Sequence, residues 1–121
     1  MQQAAQNGFP LTLRDGTAID IAAIDNSYRR TTAFRVTAAE GGSYTLHLRC
    51  RAMPGNSPLA QIPVSVFAGR AFLKTMTITG AQTDWCDFTV SLPALNTGDE
   101  FFLRFYFGQS GMELGAVILK K

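Results

Sequence analysis

Apolar and polar residues alternate in short runs along most of the chain. In "SYTLHLRCRA", Tyr44, Leu46 and Leu48 alternate with polar side chains, which is the period-two pattern of a strand with one buried face. Gly, Pro, Asn and Asp interrupt the runs at the spacing typical of antiparallel strands. The pattern predicts nine strands, at residues 9–13, 18–23, 31–38, 43–52, 62–68, 72–79, 85–92, 101–107 and 115–120.

The run "EFFLRFYFG" departs from this alternation. One face of the predicted strand is entirely apolar: Phe101, Leu103, Phe105 and Phe107. The opposite face carries Phe102, Arg104 and Tyr106, so two aromatic rings and a guanidinium point where water is expected. An exposed aromatic cluster usually marks an interaction surface without naming the partner.

The length of 121 residues fits a single domain, residues 1–121. Short strands without a helical stripe predict an all-β sandwich of two sheets. Charged residues make up 17% of the chain and the net charge is only +2, which argues against a nucleic-acid partner. No apolar run is long enough to span a membrane, and "MQQAAQNGFPL" lacks the basic segment and apolar core of a secretory signal.

Candidate catalytic groups are scarce. The single histidine, His47, falls on the polar face of its strand, away from the face of Phe102. Glycoside hydrolysis needs two carboxylates across a cleft, whereas most acids fall in predicted turns such as Asp99-Glu100, and none is expected on the Phe102 face. With no phosphate-binding glycine loop and no metal-ligand cluster, the sequence predicts a protein that is not an enzyme.

From residue 41 onward, "GGSYTLHLRCRA", "DWCDFTVSL" and "FFLRFYFGQSG" occur in an order that resembles carbohydrate-binding modules of the family 4, 9 and 22 group. The resemblance covers roughly two-thirds of the chain. It implies a jelly-roll β-sandwich of two antiparallel sheets. One sheet would hold strands 18–23, 115–120, 43–52 and 85–92; the other would hold strands 31–38, 101–107, 62–68 and 72–79.

In that arrangement, Phe67 and Arg35 join Phe102, Arg104 and Tyr106 on one outward face. Aromatic rings stack on the apolar face of a sugar and polar groups bond its hydroxyls, so this set fits a glycan cleft. A loop, the N-terminal segment or a dimer contact burying the same patch is the alternative. Further candidates lie at strand ends and loops: Tyr28, Arg29, Gln61, Gln109 and Trp85. For Trp85 a structural role at the sheet edge, common in the related modules, is favoured over sugar stacking.

Members of the group often hold a structural calcium through an aspartate in the last strand, where this chain has Gly115. That difference makes a calcium site doubtful and leaves only weak metal candidates in turns: Asp15, Asp20 and Asp25. Cys50 and Cys86 are expected at the same end of one sheet, facing inward, either as a disulfide or as two buried thiols.

The resemblance implies a non-catalytic module that binds a polysaccharide and is fused to a glycoside hydrolase in a secreted enzyme. By analogy, β-1,4-glucan, xyloglucan or mixed-linkage β-glucan are favoured ligands, ahead of xylan. Single-stranded nucleic acid also binds aromatics and arginine on sheets, but such sites are surrounded by more basic residues. A structural or protein-interaction sandwich that buries the patch against a partner domain is the alternative function.

Overall fold

The computed structural model describes residues 8–121. Within this range the chain forms nine strands and one 3₁₀ turn at Ile21–Ala23. The strands are β1 (Phe9–Leu13), β2 (Thr17–Ala18), β3 (Arg30–Ala38), β4 (Thr45–Ala52), β5 (Gln61–Ala68), β6 (Ala71–Thr79), β7 (Cys86–Ser91), β8 (Glu100–Phe107) and β9 (Met112–Lys120).

The strands form two sheets, ordered β1-β3-β8-β5-β6 and β2-β9-β4-β7. All neighbours are antiparallel except β1 and β3, which are parallel. The predicted all-β jelly-roll sandwich is confirmed, as is the grouping of the eight strands into two sheets. The segment 9–13 adds β1 as an edge strand of the sheet that contains β8.

The core lies between the inward faces of the two sheets. On β4, the alternation noted in the sequence buries Leu46, Leu48 and Cys50 completely or almost so. Val64 and Val66 do the same from β5 in the other sheet. Burial of such side chains contributes about 1.5–3 kcal/mol each, so these inward rows fix which residues are left on the outer faces.

Two predictions about local structure are wrong. The strand predicted at 18–23 ends at Ala18, because the Asp20 side chain accepts a hydrogen bond from Ala22 N at 3.0 Å and starts the 3₁₀ turn. Glu100, placed in a turn from sequence, instead begins β8 opposite Thr37. It therefore lies on the same face as Phe102, where no carboxylate was expected.

The last strand is longer than predicted, since β9 begins at Met112 rather than at residue 115. Its pairing with β4 shifts by one residue between Arg49 and Cys50, which leaves Gly115 as the extra residue of a bulge. Among residues 8–121 there is no helix of the length and apolarity that crossing a membrane requires.

Candidate functional site

Strand β8 divides its side chains as its sequence predicts. Phe102, Arg104 and Tyr106 are half-buried on the outer face of the five-stranded sheet. The inward residues are at most 1% exposed: Leu103, Phe105 and Phe107. Phe101 is also half-buried and packs against the core. Because β8 lies at the centre of its sheet, its outward side chains have neighbours on both sides.

The strand register builds a pocket around Tyr106. Thr31 of β3 and Ser65 of β5 lie directly opposite Tyr106, while Phe67 lies opposite Arg104. Thr31, Phe67, Gly69, Arg104 and Tyr106 line a pocket of about 290 Å³. The pocket combines two aromatic rings with a hydroxyl and a guanidinium, so it can offer both apolar contact and hydrogen bonds.

Phe72 extends this aromatic surface to the edge of the sheet, and sequence reasoning missed it. It is opposite Phe67, with the ring centroids 5.6 Å apart, and it is 58% exposed. A register shift between Val66 and Phe67 places it on the outer face. The sequence does not reveal that shift. An aromatic residue just after the Gly69-Arg70 turn was only a weak indication of a binding residue there.

Arg104 is held in place from two sides. Its Nη1 donates a hydrogen bond to the Gly69 carbonyl at 3.0 Å, and its guanidinium carbon lies 4.9 Å from the centroid of the Phe102 ring. The backbone at Gly8 approaches Phe102 closely, since a Cβ there would lie 3.0 Å from Cε1 of the ring. Phe102 therefore supports Arg104 and is less open than the sequence suggested.

Arg35 lies directly opposite Phe102 on the outer face and is exposed. The predicted set is thus brought together on one face: Phe67, Arg35, Phe102, Arg104 and Tyr106. Among residues 8–121, ion pairs within 4 Å form only between Arg51 and Glu113 and between Lys121 and Glu40. Neither arginine of the outer face is neutralised by a carboxylate of the described chain.

Four other candidates lie at one end of this sheet, where β3 and β5 begin and β8 ends. Tyr28 is 51% exposed, and the guanidinium carbon of Arg29 lies 5.1 Å from its ring centroid. Gln61, the first residue of β5, is exposed, and so is Gln109, whose Oε1 accepts a hydrogen bond from Ser110 N. They border the outer face without lining the pocket around Tyr106.

Trp85 is not part of this group, because it lies against the four-stranded sheet. Its ring packs on Gly115, where a Cβ would lie 2.8 Å from Cζ3. The guanidinium carbon of Arg51 lies 4.3 Å from the ring centroid, and Arg51 Nε donates to Glu113 at 2.9 Å. This packing explains why position 115 is glycine, since any larger side chain would meet the ring.

The three weak metal candidates have separate local roles. An oxygen of Asp15 accepts a hydrogen bond from Lys121 N, and Asp20 caps the 3₁₀ turn. Asp25 accepts from the backbone and hydroxyl of Ser27, and these hydrogen bonds hold its pKa below the ordinary value. Within residues 8–121, His, Cys, Asp and Glu side chains nowhere gather in threes around a potential metal position.

Cys50 and Cys86 are directly opposite each other on β4 and β7, and both are free thiols. Cys50 is fully buried, whereas Cys86 is half-buried. Burial, with a smaller effect of the neighbouring Cys86 and Asp87, raises the pKa of Cys50 to about 11. The sequence left a disulfide and two buried thiols as alternatives. The structure has free thiols, of which Cys50 is buried and Cys86 half-buried.

Two further pockets lie away from the outer face of the five-stranded sheet. The larger, of about 420 Å³, is lined by Ile21, Ala22, Ile24, Asn26, Met53, Glu113 and Leu114. The smaller, of about 180 Å³, is lined mainly by apolar residues: Ala68, Gly69, Leu92, Pro93, Leu95 and Phe101. Neither contains an aromatic ring beside an unpaired guanidinium, so the pocket around Tyr106 is the better candidate for a glycan.

Comparison with known proteins identifies the fold. No family model and no curated protein matched the sequence. Among solved structures, the C-terminal CBM6 of the laminarinase LamC from Zobellia galactanivorans matches with a TM-score of 0.55 and 10% identity, covering 89% of this chain and 90% of that one. The fold is that of a carbohydrate-binding module.

Two more matches carry the same fold. The module CBM6cm-2 of Cellvibrio mixtus lichenase 5A, in complex with cellotriose, has a TM-score of 0.50 and 16% identity, with 78% and 72% of the two chains covered. The GH26-CBM35 β-(1,4)-mannanase of Podospora anserina has a TM-score of 0.55 and 14% identity over 80% of this chain. The chain spans only 20% of that mannanase and 13% of a matched β-glucosidase from Paenibacillus barengoltzii. These modules belong to families 6 and 35, and the narrower grouping with families 4, 9 and 22 is not confirmed.

Proposed function

We propose that the chain is a non-catalytic carbohydrate-binding module that holds a polysaccharide on the outer face of its five-stranded sheet. The observation that carries the proposal is the pocket in which Tyr106 and Phe67 stand beside Thr31 and Arg104. A sugar ring stacked on an aromatic side chain buries its C–H face, while its hydroxyls meet the threonine and guanidinium groups. Half-buried aromatics that line an open pocket are available for such stacking.

The same face can take more than one sugar ring. Phe67 and Phe72 lie side by side across β5 and β6, and Tyr106 is a diagonal neighbour of Phe67 at about 7–8 Å. Alternate residues along a strand are about 6.6 Å apart, which is comparable to the length of a sugar unit. Hydroxyls of Ser65 and Thr75, 2.8 Å apart, continue the cross-strand row of Tyr106 and offer further hydrogen bonds.

The favoured ligands are soluble plant cell-wall chains, namely β-1,4-glucan, xyloglucan or mixed-linkage β-glucan. Support comes from analogy, since a matched module of the same fold was solved with cellotriose. A matched mannanase combines such a module with a glycoside hydrolase domain, which favours an attached hydrolase and an extracellular location for this chain as well. The module would then act by raising the concentration of the enzyme near its substrate.

A catalytic role is not proposed. Glycoside hydrolysis uses two carboxylates on either side of the scissile bond. In the strands that carry the outer face, Glu100 is the carboxylate in line with Phe102, and a second one is not found beside it within the described residues. A lone carboxylate can neither pair as acid and nucleophile nor as acid and base.

Affinity gel electrophoresis tests the proposal. We expect retardation of the native protein by at least one of the β-glucans, and a loss of about tenfold in affinity for Tyr106→Ala. Leu59→Ala is a matched control, because Leu59 is 88% exposed but lies in the loop before β5. Unaltered mobility of the native protein in every tested glycan would contradict the proposal and favour the protein-interaction alternative, in which the exposed Phe72 contacts a partner domain.

A further inference from the structure

The charges on the outer face of the five-stranded sheet are mainly positive. Arg35 and Arg104 both project from this face, on neighbouring strands and in diagonal positions about 7–8 Å apart. Arg70 is exposed in the turn immediately after Gly69, which also lines the pocket. Glu100 is the acidic residue in line with them, and it forms no ion pair within 4 Å with either arginine.

Arg104 is positioned to bind an anion. Its guanidinium has five N–H donors, and one hydrogen bond, to the Gly69 carbonyl, uses only part of this capacity. Stacking over Phe102 fixes the plane of the group. A guanidinium fixed in this way loses little freedom on binding and matches the two oxygens of an oxyanion.

By contrast, one arginine on the other sheet, Arg51, is paired with a carboxylate. Arg51 stacks on Trp85 and also donates to Glu113 at 2.9 Å. An arginine over an aromatic ring thus has a carboxylate supplied by the protein at Arg51 and has none within 4 Å at Arg104. At Arg104 an acidic group of a ligand can take the role that Glu113 has at Arg51.

We infer that the outer face selects glycans with an acidic substituent, a carboxylate or a sulfate ester, bound by Arg104 and Arg35 beside the Tyr106 pocket. This inference rests on the proposed function, and at the same site it ranks acidic chains above the neutral β-glucans. The sugar backbone stacks on the aromatic residues, and the acidic group reaches the two guanidiniums. A neutral chain of the same backbone binds more weakly, because it leaves the charges of both arginines uncompensated.

Substituted celluloses provide matched ligands, since hydroxyethyl, carboxymethyl and sulfate derivatives share one backbone. We expect affinity about fivefold higher for carboxymethylcellulose or cellulose sulfate than for hydroxyethylcellulose, in line with one solvent-accessible ion pair. The carboxylate and sulfate derivatives distinguish the two sources of negative charge. Polygalacturonate and a neutral galactan extend the test to a second backbone.

Arginine variants locate the effect. Arg104→Gln should weaken binding of the acidic derivative more than binding of hydroxyethylcellulose and so lose most of the preference between them, whereas Arg35→Gln should have a smaller effect of the same kind. Arg49→Gln removes the same charge from the other sheet and is the matched control. Glu100→Gln should strengthen binding of the acidic derivative, because it removes the one opposing charge in line with these arginines.

The outcomes separate this inference from the proposed function. Equal affinity for neutral and acidic derivatives, with Tyr106→Ala weakening both, would overturn the inference and leave the proposed function standing. Alternatively, Tyr106→Ala could leave binding of the acidic derivative unchanged, while Arg49→Gln and Arg104→Gln weaken it equally. Such binding would be general charge attraction and would overturn the inference as well. No retention by any glycan would overturn both.

Discussion

An arginine lies against an aromatic ring on both outer faces of the sandwich, Arg51 on Trp85 and Arg104 on Phe102. Only Arg104 also lines the pocket around Tyr106. Against the four-stranded sheet, the Trp85 ring contacts Gly115 and Arg51, and Arg51 forms an ion pair with Glu113. Against the five-stranded sheet, Arg104 has no carboxylate partner, and Tyr106 lines a pocket of about 290 Å³. The same residue types thus stabilise the fold on one face and are offered for binding on the other.

The difference teaches that residue type alone does not mark a site. A tryptophan is the most obvious sugar-stacking candidate in the sequence, yet its ring is half-buried and in contact with Gly115 and Arg51. Phe72, a less obvious candidate, is 58% exposed beside Phe67. What distinguishes a binding aromatic is the part of its ring that the protein itself does not contact.

Removal of the tryptophan ring should give the largest effect on stability. Trp85→Ala removes the contacts with Gly115 and Arg51 and should lower the free energy of unfolding by about 3 kcal/mol. Urea denaturation measures this change. Glycan retention of the folded variant should equal that of the native protein, and a loss of retention at full folding would place Trp85 in the binding site and break the comparison.

Alkaline pH tests the inward side of the four-stranded sheet. The pKa of Cys50 rises from the ordinary 9.0 to about 11, chiefly because the thiol is buried. Between these two pKa values the folded state keeps a proton that the unfolded chain releases. The contribution of Cys50 to stability is therefore complete below pH 9 and is lost as the pH rises through 11. The expected loss is about 3 kcal/mol.

Denaturation curves between neutral and alkaline pH measure this loss, with Cys50→Ala as the reference. The variant lacks the thiol, so its stability should fall less over the same range. An equally steep fall in the variant would show that another group is responsible.

Gly115→Ala should cost about 1 kcal/mol, since its Cβ would come within 2.8 Å of the Trp85 ring. The cost should disappear when Trp85→Ala is already present, because the clash is then absent. A double-mutant cycle of unfolding free energies measures this coupling. Additive effects would mean that the ring and the glycine do not constrain each other.

The smallest effect is expected at the edge of the binding face. Phe72→Ala should weaken glycan binding about threefold, while the free energy of unfolding changes by less than about 0.5 kcal/mol. Titration calorimetry and urea denaturation measure the two quantities. An unchanged affinity would restrict the site to Tyr106 and Phe67, and a large loss of stability would make Phe72 a structural residue like Trp85.

The sequence by itself determined which side chains of β4 and β8 face the core. Alternation in β4 and β8 is a local property of the extended chain, so the inward rows could be assigned without knowing any partner strand. The division of "EFFLRFYFG" into a core face and an outward face follows from the same period, and the structure places Phe102, Arg104 and Tyr106 accordingly. The all-β sandwich follows because short alternating strands without helices bury their apolar faces against a second sheet.

Only the tertiary structure decided which outward side chains stay open. The bulge that brings Phe72 beside Phe67, the packing of Trp85 on Gly115 and the hydrogen bond from Arg104 to Gly69 all join residues of different strands or turns. Strand register and the covering of a ring depend on contacts between distant segments, which a local pattern does not contain. The sequence therefore supplied the aromatic and basic residues of the candidate site, and packing between strands determined which of them a ligand can reach.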